Sequence, residues 1–135
     1  MEERRIPVRR LLGAIGAFAA LLPGGAAACD LPPGVRVENA RLAVSYSTTP
    51  ARIEIGKPFV LELAVCPKGK AAMPERAKLD ARMPEHRHGM NYRIKVVQAG
   101  AGRFHSEGWL FHMPGRWEFV FDLGPERLTH SISVE

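Results

Sequence analysis

Ten residues, MPEHRHGMNY from Met83 to Tyr92, hold two histidines and two methionines. His86, His88 and Met90 are spaced i, i+2, i+4, so an extended backbone projects all three side chains to one side. Two imidazoles and a thioether on one side suit copper. Imidazole serves either oxidation state, and the soft thioether selects Cu(I) over zinc, calcium or magnesium. Gly89 lies inside the run and permits a kink that breaks this register. A second donor pair, His112 and Met113, stands in LFHMPGRW just before a Pro-Gly turn. Neighbours on a strand face opposite ways, so one of this pair can join the first group, and His112 is the better donor. Met83 and Met113 are further thioether donors, whose plainer role is to fill space as a core strand is entered. The plainer role of His86 and His88 is an exposed polar turn. His105 and His130 stand alone, as surface or core-edge residues.

The elements that must position these donors are strands. Short stretches of period two are separated by Gly, Pro and Asn, and no stretch sustains a helical period. VRVENARLAVSYST reads as one long or two broken strands, followed by RIEI and then KPFVLELAVC. In the last, Phe59, Leu61, Leu63 and Val65 share a face opposite Glu62 and Cys66. AKLDARM aligns Leu79, Ala81 and Met83, and NYRIKVV aligns Tyr92, Ile94 and Val96. Turn signals in GAGR, PG and GPE delimit FHSEGWLFHM, RWEFVFDL and RLTHSISV. Trp117, Phe119, Phe121 and Leu123 point one way and Glu118 and Asp122 the other, which predicts a central strand anchored by Trp117. In SEGWLFH the inward parity is open between Ser106, Gly108, Leu110 and His112 and the set Trp109, Phe111 and Met113. Seven or eight such strands predict an all-β, immunoglobulin-like β-sandwich, with the copper donors in loops at one end.

The N-terminus addresses location. MEERRIPVRR is a positive n-region, LLGAIGAFAALL is too short to span a bilayer comfortably, and Ala26-Ala27-Ala28 suits signal peptidase. The reading is a secretory signal over 1–28 and a single sandwich domain over 29–135, exported to the periplasm. Cys29 then heads the mature chain. It either pairs with Cys66, the other cysteine, in an oxidising compartment, or is acylated as the anchor of an inner- or outer-membrane lipoprotein, or stays a free thiol. Ala26 replaces the Leu usual in a lipobox, and an even pair is the simpler chemistry. Removing the leader takes four arginines and two glutamates, so the charge falls from +5 to +3. The basic residues alternate with acids without an aromatic-interleaved run, which argues against a nucleic-acid face.

MPEHRHGMNY and FHMPGRWEF together resemble the YtkA-like group of small exported β-sandwich domains, with a Met-Pro-x-His-type loop and a later Met-Pro-Gly-x-Trp strand entry. The resemblance covers roughly Val35 to the C-terminus. It implies the sandwich fold, and suggests links to copper handling and respiratory-complex assembly. A looser likeness is to periplasmic Cu(I) chaperones of the PCuAC type, which use a methionine and, about twenty residues on, a His-x-Met element. Met90 and His112 have comparable separation, but this chain reads His-Met with no intervening residue.

No nucleophile elbow, free Cys-His dyad or recognisable carboxylate pair points to an enzyme. The leading expectation is a periplasmic copper-binding or copper-delivery protein, with Cu(I) expected ahead of Cu(II) as its ion and a copper-receiving or respiratory envelope protein as its partner. The alternative is a metal-free envelope interaction or assembly module of the same fold. The two differ in whether the imidazoles converge.

Overall fold

The computed structural model describes residues 29–135; the expected leader over 1–28 lies outside the described residues. In chain order the strands are β1 (Val35–Glu38), β2 (Leu42–Thr49), β3 (Phe59–Pro67), β4 (Ala77–Met83), β5 (His88–Gly89), β6 (Lys95–Gly100), β7 (Arg103–Trp109), β8 (Gly115–Leu123) and β9 (Glu126–Val134). They form one five-stranded sheet in the order β1-β2-β3-β7-β6 and one four-stranded sheet in the order β5-β4-β8-β9. Every pairing is antiparallel. This is the all-β sandwich the sequence predicts, with a two-residue ninth strand, β5, that period two could not announce.

Alternation carries most of the architecture. On β8, Trp117, Phe119, Phe121 and Leu123 are all fully buried, and β8 lies between β4 and β9, the central position expected of it. Facing them are Leu61, Leu63 and Val65 of β3 with Val44 and Tyr46 of β2. Each such side chain contributes about 1.5–3 kcal/mol on burial. The aromatics mesh in tilted and edge-on pairs, including Phe59 with Phe111 at 5.2 Å and Trp109 with Phe119 at 5.4 Å.

Of the two readings of VRVENARLAVSYST, two strands form, because Asn39 Oδ1 accepts from the Arg41 and Leu42 amides and turns the chain between them. Two local expectations change. RIEI forms no strand: Ile53 and Ile55 pack on the core, and the Gly56 amide (φ 73°) donates to Phe111 O at 2.8 Å instead of to a ladder. NYRIKVV begins its strand only at Lys95, and Tyr92 is exposed. The open parity in SEGWLFH has a physical answer. Gly108, at φ 98°, sits where the β3–β7 register shifts between Phe59 and Leu61, so Ser106 and Trp109 both face inward. Ser106 Oγ donates to Leu61 O at 2.7 Å and accepts from Trp109 Nε1 at 2.9 Å, so neither buried polar group lacks a partner.

Two histidines that look isolated in sequence are engaged. His130 Nδ1 hydrogen-bonds with the Tyr46 hydroxyl at 2.7 Å, and burial pushes the Tyr46 phenol up to about 12. On the outer face of the five-stranded sheet, His105 donates through Nε2 to Glu107 at 3.1 Å and through Nδ1 to Glu62. Those two carboxylates hold its pKa above the usual imidazole value.

The Cys29–Cys66 bridge forms, with a Cα–Cα separation of 5.7 Å. It ties residues 29–34 across the outer face of the five-stranded sheet, where Ser45 Oγ donates to Pro32 O and Arg103 Nη2 donates to Asp30 O. Opening a crosslink that spans 37 positions costs on the order of 2–5 kcal/mol. A Cys29→Ala/Cys66→Ala protein should therefore show a lower denaturation midpoint by that amount, and the oxidised parent should lose the same on reduction. A second expectation concerns His105. Its folded pKa is raised, so its contribution to stability is full below pH about 6.5. The contribution fades as pH rises through the raised value. Denaturation of His105→Gln across pH 5–9, the window around an imidazole pKa, should show that slope removed and the rest of the profile unchanged.

Candidate metal centre

The first donor loop is a hairpin connection. Met83 pairs with His88, and the His86 amide returns to Met83 O at 3.1 Å, closing a four-residue turn with Pro84 second, the place its fixed φ suits. Arg87 then takes φ 54°, the left-handed conformation that a side chain with a Cβ adopts at a cost. The backbone departs from extended geometry at Arg87, one position from each histidine, while Gly89 is a residue of β5. Gly89 has its own reason to be glycine: a Cβ there would stand 3.2 Å from Ala81 O. Ion pairs from Arg116 to Glu85 (2.9 Å) and from Arg82 to Glu118 (2.6 Å) link this hairpin to β8. Both are exposed, so each is worth about 0–1 kcal/mol.

The second donor segment, Leu110–Pro114, follows β7 and is fixed by its neighbours. Phe111 stacks on Trp117 at 4.3 Å with the rings 5° from parallel. Trp117 Nε1 donates to Met113 O at 2.9 Å, and the Gly56 amide donates to Phe111 O. His112 is therefore carried between two anchored residues.

The two segments meet. The His86 and His88 rings are 5.8 Å apart between centres, and His88 and His112 are 5.3 Å apart. Both His88 and His112 stand steeply against Trp117, at 6.1 and 5.5 Å and at 71° and 78°. His88 Nδ1 lies 3.0 Å from Gly89 O; a carbonyl only accepts, so Nδ1 carries the hydrogen and Nε2 of the neutral ring keeps a lone pair for a ligand. His112 Nδ1 is buried with no hydrogen-bond partner. Leaving such an atom unpaired costs about 1–3 kcal/mol.

The thioethers sit differently. Met83 is 1% exposed within the core, and its methyl occupies the space a Cβ at Gly115 would need, at 2.8 Å. Met113 is half-buried against the core. Met90 lines the groove of Lys78, Asp80, Tyr92 and Ile94 between β4 and β6, whereas His88 lines the groove of Met83, Pro84 and Arg87. Of the i, i+2, i+4 set, the turn at Arg87 brings the two imidazoles together, and Met90 faces the neighbouring groove.

With metal–nitrogen bonds of about 2 Å, two imidazoles sharing one ion at a tetrahedral angle have ring centres roughly 5 Å apart. The observed ring spacings match that scale. Among the described residues, no three His, Cys, Asp or Glu side chains are gathered at coordinating distance, so the rings must turn about their side-chain torsions to aim their nitrogens at one point. The bridge occupies both sulfurs, which leaves imidazole and thioether as the soft-metal donors. In the sequence Trp117 stands out as a core anchor alone, and Arg87 does not stand out. A Trp four residues beyond Met113, and a positively charged residue between two histidines in a turn, were the visible signals.

Replacing Arg87 with Gly relieves the left-handed conformation, partly offset by the greater freedom of glycine in the unfolded chain. The expected outcome is a gain of about 0.5–1 kcal/mol in chemical denaturation. Comparison of the chain with protein-family models, with curated proteins and with solved structures finds no match.

Proposed function

We propose that the protein binds a copper ion at the hairpin and Leu110–Pro114 end of the sandwich, and that it serves to hold or deliver copper outside the cytoplasm. The observation that carries this reading is the row of His86, His88 and His112, with the partnerless buried Nδ1 of His112 at its inner end. His88 and His112 are the primary ligands, and His86, the most exposed of the three, is the entry ligand. Met113 is the thioether with enough exposure to reach an incoming ion, Met90 faces the neighbouring groove, and Met83 backs the site from the core. Cu(I) is the preferred ion, because imidazole and thioether are the donors at hand.

The groove beside His88, about 530 Å³ and open to solvent, supports exchange with a receiving protein of the envelope. The competing reading, a metal-free interaction or assembly module, leaves the row of three rings and the unpaired nitrogen without a reason. We propose no catalytic role.

Purified residues 29–135 are titrated with Cu(I) under a competing chelator and with Cu(II) in air, alongside His86→Ala/His88→Ala and His112→Ala. Each variant should lose at least about tenfold in Cu(I) affinity, equivalent to about 1.4 kcal/mol. Far-UV circular dichroism should be unchanged. Equally weak binding by all three proteins would remove the copper reading and leave the interaction module.

A further inference from the structure

We infer that Trp117 is itself part of the metal-binding surface, so that a soft monovalent cation held by His88 and His112 rests against its indole; this builds on the copper reading above. The two rings named as primary ligands are the two that contact Trp117, with centres 6.1 and 5.5 Å from it. An ion drawn between them comes within the roughly 6 Å over which an indole attracts a cation.

The other contacts of Trp117 fit this role. Phe111 covers the indole at 4.3 Å, and Nε1 is fixed to Met113 O, so the ring cannot swing away as the ion arrives. Trp117 is fully buried, which keeps water from competing for the same surface and strengthens the attraction. Its π surface adds no charge and no hard donor. It therefore favours Cu(I) or Ag(I), which accept two or three soft ligands, over Zn(II), which calls for a full tetrahedral set. Trp109, the other tryptophan, packs on Phe59 and Phe119 and donates to Ser106, so it serves as an internal reference.

The test uses Ag(I), which has the charge of Cu(I) without its redox chemistry, and Zn(II) as the divalent control. The parent chain carries fluorotryptophan at both positions and is followed by fluorine NMR, with the signals assigned from Trp117→Phe. Ag(I) should shift the Trp117 signal in proportion to bound metal and leave the Trp109 signal in place. Trp117→Phe should bind Ag(I) roughly tenfold more weakly, with Zn(II) affinity unchanged. Ag(I) binding to the parent with an unmoved Trp117 signal, or an equal Ag(I) affinity in folded Trp117→Phe, overturns the indole contact and leaves the histidine site standing. Absence of Ag(I) and Cu(I) binding by the parent overturns both. If Trp117→Phe does not fold, the signals are assigned from Trp109→Phe, and the parent spectrum decides alone.

Discussion

The stack of Phe111 on Trp117 is the contact on which this end of the sandwich depends. It joins the segment leaving β7 to the central strand β8, across the gap between the two sheets. Two fully buried aromatics in near-parallel contact contribute about 0.5–1.5 kcal/mol beyond the area they remove from water. Gly56 and Trp117 Nε1 then use the backbone carbonyls on either side of His112, so a five-residue connection with no ladder of its own is held as firmly as a strand. Rigidity is supplied by packing beneath the histidine.

The three imidazoles form a gradient of solvent access. His86 is exposed, His88 is half-buried with one nitrogen committed to Gly89 O, and His112 has a nitrogen sealed from water with no partner. On the copper proposal, an ion would meet the exchangeable donors of this gradient first and the unsatisfied nitrogen last. The left-handed Arg87 is the local cost of folding a tight hairpin so that residues on either side of it carry neighbouring rings.

How much of this was legible depends on whether a residue obeys a period. Trp117, Phe119, Phe121 and Leu123 follow one, and their strand, its face and its central place were readable. So was the cysteine pair, since chemistry and compartment argue for the bridge without geometry. Ser106 and Trp109 were not readable, because a positive φ at Gly108 turns an i, i+3 pair inward where period two allows one or the other. Ile53 and Ile55 look like a strand, yet Gly56 spends its amide on Phe111 O, a partner far away in sequence. For the donor group, the sequence supplied identities and spacing, and the meeting of His88 with His112 came from the tertiary stack. Met90 shows the limit of spacing: β5 ends at Gly89, and the side chain just past it lines another groove.

The bridge at the start of the described chain has a chemical corollary. Sulfur bound to sulfur has no valence left for a diacylglycerol, so Cys29 cannot close the strap and carry a lipid at once. A greasy, membrane-held form would have to leave Cys66 as a bare thiol, barely wetted, under a loosened stretch of chain. Tethering and covalent closure are thus alternative states of a single atom.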